Sequence, residues 1–253
     1  MKKLNFIIKC GLALLLLSFY SCESWLNVTP SDRLSEEMLF NDREGFVKAL
    51  NGVYIELNTN ELYGRNLTAG ALDVMGQYYS VASSSHAFYN YGGLVYTGND
   101  EKALFDNMWQ KCYAVIACCN TIIEKCDENK AGLSPVWRGS IKGETLALRA
   151  MLHFDMLRLF GPLTSELDKE SIPYQTNSDQ TVTPLLSGSE VVGLILDDLK
   201  NAVGLLKDTD PYFVEEEFSD TDLNYRRFRM NYFAAKGLMA RVQLWGGDKE
   251  KAA

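Results

Sequence analysis

GETLALRAMLHFDMLRLFGP, residues 143 to 162, decides the fold class. Its apolar residues do not keep to one stripe. At the 3.6-residue period they surround most of the helix, which predicts a helix buried between neighbours and not one lying on a surface. Gly161 and Pro162 stop it. Arg149 and His153 stand four apart on one face, and Asp155 and Arg158 three apart on the opposite face. In so apolar a helix, Arg149 and His153 are expected to hold backbone carbonyls or the caps of adjacent helices. A catalytic role is the sharper and weaker reading.

Helical patterns extend outward in both directions. Upstream, Asp42 or a neighbour opens a helix with Phe46, Val47, Leu50, Val53, Tyr54 and Leu57 at helical spacing. Leu67 to Tyr79 reads as a weaker helix, and residues 83 to 98, rich in Ser and Gly, as a loop. A long helix follows from about Glu101 to Lys125, with Leu104, Phe105, Met108, Trp109, Val115, Ile116, Ile122 and Ile123 inward, closed by a turn at Gly132 to Pro135. Downstream, Pro162 to Pro184 is irregular. A helix from Glu190 to Leu206 then turns Val192, Ile195, Leu196, Leu199, Val203 and Leu206 inward. After an acidic connection with Pro211, a last helix spans about Met230 to Trp245, and Gly246, Gly247 and Asp248 end it and start another. ALRAML at 147 to 152 matches AAKGLM at 234 to 239, and Ala235, Gly237 and Ala240 leave room for a close helix neighbour. These features predict an all-α fold of tetratricopeptide-like helix hairpins with long irregular insertions.

Four cysteines, Cys112, Cys118, Cys119 and Cys126, fall in the long helix. Seven residues of helix rise about 10 Å, beyond the roughly 7 Å Cα separation a disulfide allows, so Cys112, Cys119 and Cys126 cannot pair with one another. With Val115 and Ile122 they form an apolar seam. A metal site is the alternative, without a C-x-x-C or nearby His to support it.

The first 21 residues have a basic head (Lys2, Lys3, Lys9), an apolar run from Leu12 to Leu17, and Ser21 followed by Cys22. That pattern is a secretion signal ending at a lipoprotein cleavage site, too short to span a bilayer. Cys22 is expected to become the lipidated first residue, its acyl chains (palmitate among them) holding the protein to a membrane. Phe19 and Tyr20 are bulkier than the usual lipoprotein box. The expected organisation is a signal peptide (1 to 21), an extended leader (22 to 35) and a helical domain (36 to 253). The formal charge of −8 becomes −11 without the signal's three lysines, with 22 basic against 33 acidic residues. Such a balance argues against nucleic acid as a partner.

Several segments together resemble one family. They are SCESWLNVTPSDRL (21 to 34), FVKALNGVYIEL (46 to 57), the pattern Trp109, Tyr113, Ile116, Cys119, Asn120, the 143 to 162 helix, Ile172 to Tyr174, and AAKGLMARVQLWGGDKEKAA at the end. In this order and spacing the chain is similar to the N-terminal half of a SusD/RagB-family outer-membrane lipoprotein. The resemblance implies a SusD-like helical fold, surface exposure on the outer membrane, and no cofactor. It also implies capture of an oligosaccharide, or in some branches a peptide, for a SusC-like TonB-dependent transporter. Family members being about twice this long, it further implies a chain truncated on its C-terminal side.

The candidate ligand residues are Gln77, Tyr78, Tyr79, His86, Phe88, Tyr89, Asn90 and Tyr91, a stretch of aromatics and amides among glycines and serines that reaches Tyr96. Sugars present flat apolar faces rimmed by hydroxyls, which aromatic platforms and amides fit. Packing of a long loop explains the same composition. The rival from another class is a secreted glycan-active enzyme, which needs two facing carboxylates. Asp197 with Asp198, or Glu215 to Glu217, are its candidates, but the aspartates are expected on the outer face of their helix and the glutamates in a solvated connection. There is no G-x-S-x-G, H-E-x-x-H or Gly-rich phosphate loop, and His86 and His153 are the only histidines. A tetratricopeptide-type scaffold for a protein ligand shares the helices but explains neither the anchor nor the tyrosines.

Overall fold

The computed structural model describes residues 36–179, 181–210 and 226–252. The chain divides into two units, residues 1–39 and 40–253. Of the first, the described part is one helical turn, α1 (Glu36–Leu39). The signal, Cys22, the leader, and Glu215 to Glu217 lie outside the described residues.

The second unit is a serial stack of helices. Its α2 (Arg43–Leu57) starts where Asp42 accepts a hydrogen bond from the Gly45 amide at 2.8 Å and buries Phe46, Leu50, Val53 and Leu57. Two short helices follow, α3 (Ala71–Met75) and α4 (Tyr89–Gly92), before the long α5 (Asn99–Glu128) and α6 (Pro135–Phe160). The turn between them is set by Asn129 in the left-handed region, whose side chain accepts from the Leu133 amide, and by Ser134 and Pro135 at the cap and first turn of α6. Strands β1 (Glu170–Pro173) and β2 (Leu185–Ser187) pair antiparallel. Then come α7 (Gly188–Thr209), opened by a Ser187 and Glu190 capping box, α8 (Tyr232–Trp245), capped by Asn231, and α9 (Lys249–Ala252). Helix α2 packs on α5 and α6, α5 on α6, α6 on α7, and α7 on α8.

Helix α6 is buried around its circumference as its pattern predicts, with residues 139 to 141, 143 to 150 and 152 to 157 all buried. It approaches α7 closely because glycines face it: a Cβ on Gly143 would lie 2.8 Å from Leu206 Cγ, and one on Gly139 2.5 Å from Thr209 Cγ2. Cys112, Cys119 and Cys126 are buried and unpaired, forming the expected seam. Burial pushes the thiols of Cys119 and Cys126 up to about 12, so they stay protonated and serve as small apolar groups.

Several expectations need correction. The 67 to 79 helix shrinks to α3, because residues 58 to 70 fold into successive turns and Gln77 takes a left-handed conformation just after it. A turn of helix, α4, interrupts the 83 to 98 loop, and strand β1 lies in the stretch read as irregular. Helices α5 and α7 are longer at both ends than their apolar patterns. On α7 the inward stripe runs through Val191, Ile195, Asp198, Leu199, Ala202 and Leu206, so Asp198 is buried and only Asp197 faces out, paired with Lys200 at 3.0 Å. On α8, Ala235 is buried as expected, but Gly237 faces open space.

The tight α6/α7 contact sets a test with two signs. Gly143→Val should lower unfolding free energy by about 1–3 kcal/mol through overpacking. Gly204→Ala, exposed with nothing near its Cβ, should raise it by about 0.5–1 kcal/mol by removing a mid-helix glycine. Urea titration of both variants checks the pair.

Candidate functional site

Gln77 turns the chain at φ 61° as α3 ends, and its Nε2 donates to the carbonyls of Gly92 (3.0 Å) and Val74 (3.3 Å). One amide thus closes a loop of fifteen residues. Leu94, also left-handed at φ 55°, marks the other end. A left-handed leucine costs about 1–2 kcal/mol, which the surrounding packing must offset. That packing is a small core of Ala71, Val74 and Tyr91, flanked by Val81, Phe88, Tyr96, Leu104 and Phe105. Phe88, Tyr96 and Phe105 set their rings 5.8 to 6.2 Å from that of Tyr91. Asn90 donates to the Glu101 carboxylate at 2.8 Å, fastening the loop to the first turn of α5.

The eight candidate residues therefore divide. Tyr79 (53% exposed) and Tyr89 (43% exposed) line one hollow of about 410 Å³ together with Gln77 and Asn90. Tyr79, His86 and Phe88 line a second, of about 500 Å³, and the two share Tyr79, Ser80 and Val81. His86 Nδ1 accepts from the Phe88 amide at 3.1 Å, fixing the imidazole beside the Phe88 ring. Tyr78, 80% exposed, belongs instead to a cleft beyond the loop. Tyr91 is corrected: it is 2% exposed, with burial pushing its phenol up to about 12, and it anchors the loop where a ligand cannot reach it.

Arg149 and His153 build something else. Arg149 donates from Nε and Nη2 to the two Asp198 oxygens, both at 2.7 Å, and from Nη1 to Asn120 Oδ1 at 2.8 Å. The Tyr174 hydroxyl donates to Asp198 at 2.6 Å. His153 donates from Nδ1 to its own helix at the Arg149 carbonyl and accepts at Nε2 from the Gln175 amide, both at 3.0 Å, with its ring stacked 3.9 Å from Tyr174. Asn120 donates to the carbonyls of Gln175 and Asn177, and the Tyr113 hydroxyl to that of Pro173. The whole arrangement clamps residues 173 to 177 against α5, α6 and α7. Asp198 is saturated within it and is not available as a catalytic acid. The roles of Asn120, Tyr174 and Asp198 here were not predicted; the recurrence of Tyr113, Asn120 and the Ile172 to Tyr174 segment in one pattern was the available signal.

With this geometry in view, comparison with known proteins identifies the class. A family model described as "Starch-binding associating with outer membrane", SusD-like, matches residues 24–244. The chain belongs to this SusD-like family. A curated relative, SusD-like protein P2 of Formosa agariphila, is 24% identical over 99% of this chain and 44% of its own length. A SusD-like protein of Bacteroides ovatus is 29% identical over 56% of this chain and 23% of its own. The crystal structure of a SusD-like carbohydrate binding protein from Bacteroides vulgatus superposes with a TM-score of 0.65 at 24% identity, covering 84% of this chain and 43% of that one. A SusD superfamily structure from Bacteroides thetaiotaomicron gives 0.62 at 21% identity. The helical, tetratricopeptide-like fold is thus shared. The chain spans less than half the length of the curated relatives it matches.

The clamp has a pH signature. Burial holds the His153 imidazole down to about 3, opposed by its hydrogen bond to the Arg149 carbonyl and helped by the Arg149 charge. An unfolded chain takes up this proton near pH 6.5. Below that pH the unfolded state binds a proton the folded state does not, so stability falls as pH drops from about 6.5 towards 3. By pH 5 the loss from this group should be about 2 kcal/mol. Urea titrations from pH 7 to 5 should show that decline in the native protein and a flatter profile in His153→Gln; parallel profiles would assign the decline to another group.

Proposed function

We propose that this chain captures oligosaccharide at the surface of the outer membrane and passes it to a SusC-like TonB-dependent transporter, without cleaving it. The observation that carries the reading is the pair of hollows on either side of Tyr79. Exposed tyrosine rings, one amide-bearing Asn and a hydroxyl-rich run at Ser80 and Ser83 are mounted there on a core of their own. A sugar's apolar face stacks on such rings while its hydroxyls reach amides and carbonyls. Family membership supports the same direction, since the family description names starch binding and association with the outer membrane. The candidate catalytic aspartates support binding without chemistry: Asp198 is locked by three donors and Asp197 lies exposed beside Lys200.

The proposed ligand platform is Tyr79 and Tyr89, with Gln77, His86, Phe88 and Asn90 framing it. Tyr79→Ala and Tyr89→Ala should each weaken retention in glycan-containing gels several-fold, from the roughly 0.5–1.5 kcal/mol of a ring contact. Thermal unfolding should barely move, because neither ring belongs to the buried core. Retention equal to that of the unaltered protein would remove the loop from ligand binding.

The proposed anchor is a lipidated Cys22, joined to the helical body through the 22 to 35 leader. Expressed with its signal, the protein should sediment with membranes and bring a large β-barrel transporter with it after detergent extraction, whereas Cys22→Ala should appear in the soluble fraction. A Cys22→Ala protein still held by membranes would end the lipid assignment.

A further inference from the structure

Beyond the loop, Tyr78 faces a cleft of about 630 Å³, larger than either hollow around Tyr79. Its lining combines Asp73 of α3 with Asp155 and Arg158 of α6 and Arg241 of α8. Both arginines contact the Phe154 ring, each guanidinium carbon lying 5.6 Å from its centroid. A ring contact attracts a cation without neutralising it. Asp155 pairs with one of the two, taking Arg158 Nη1 at 3.0 Å on one oxygen and the Tyr63 hydroxyl at 2.7 Å on the other. Arg158 keeps Nε and Nη2 free among the described residues, and Arg241 has no carboxylate partner among them.

We propose that this cleft is a subsite for a sugar carrying an anionic group, a carboxylate or a sulfate ester, with Arg158 and Arg241 holding the anion. The proposal deepens the glycan-binding reading and rests on it. A guanidinium presents its donors as a planar fork that matches two oxygens of either anion, and two such forks line this one cleft. Asp73, from a different element, supplies an acceptor for the hydroxyls of the same sugar, and the exposed Tyr78 ring offers its apolar face a platform. The chain as a whole carries −8, so its long-range field does not gather anions and recognition must come from these local contacts. Tyr78 and Tyr79 are neighbours in sequence but open on different spaces, so one glycan chain crossing the loop would set a neutral unit beside Tyr79 and a charged one beside Tyr78.

Calorimetric titration of the full chain with tri-galacturonate, its methyl ester, a sulfated galactan oligomer and a neutral oligosaccharide tests this. The expected result is binding of tri-galacturonate or the sulfated oligomer that Arg241→Gln weakens about tenfold, with an unchanged melting temperature and unchanged affinity for the neutral probe. Arg241→Lys, which keeps the charge and loses the fork, should fall between. The anion whose binding responds to Arg241 identifies the source. Equal affinity for the acid and its methyl ester, with no response of the sulfated probe to Arg241→Gln, would overturn the subsite. Binding of the neutral probe alone would overturn it and leave the glycan reading standing, and binding of no glycan would remove both.

Discussion

The structure depends on one buried ion pair. Arg149 and Asp198 are almost wholly inaccessible, and withdrawing two such charges from water costs several kcal/mol each. The cost is offset by hydrogen bonds on each group: two parallel bonds between them, the Tyr174 hydroxyl on the carboxylate, and Asn120 on the remaining nitrogen. Four elements contribute, α5, α6, α7 and the segment after β1. Apolar contact between helices tolerates sliding; this cluster does not, since moving α7 by one turn would leave both charges buried and unpaired. The pair therefore fixes register where the surrounding leucines and alanines supply only adhesion.

A second cluster does the same for another face of α6. Glu144, fully buried, takes the Tyr54 hydroxyl from α2 and the guanidiniums of Arg226 and Arg229 just ahead of α8. Tyr54 in turn accepts the Met230 amide. A helix apolar around its circumference has no preferred rotation from hydrophobicity alone. Its rotation is set by two ionised groups five residues apart, each demanding a different set of neighbours.

This explains which parts of the fold were legible in the sequence. The burial of α6, the cysteine seam and the core of α2 follow from side-chain period, which reports what must leave water. Asp198 was misplaced because a carboxylate in an amphipathic helix reads as solvent-facing, and only the unseen partner Arg149, 49 residues earlier, makes its burial tolerable. Tyr91 was misread for the complementary reason: in a row of tyrosines nothing local separates the ring that anchors from the rings that face out. The shortened 67 to 79 helix reflects backbone conformation at Gln77, where an amide bridging to Gly92 outweighs continued helix. Arg241 carried no signal, because its contact is with a ring on another helix, Phe154.

The position of the loop follows from the same economy of partners. A stack of helices buries its apolar residues against its own neighbours and presents mostly polar and charged side chains outside. Rings held half-exposed need a support that is itself apolar and rigid. Here the support is continuous: Phe88 meets Tyr91, Tyr91 meets Phe105, Phe105 meets Phe160, Phe160 meets Trp109, and Trp109 leads through Tyr113 and His153 to Tyr174. That line of edge-on and stacked contacts runs from the loop to the buried ion pair. It gives the loop a fixed base at Phe88 and Tyr91, while Tyr79 and Tyr89 beside them stay exposed.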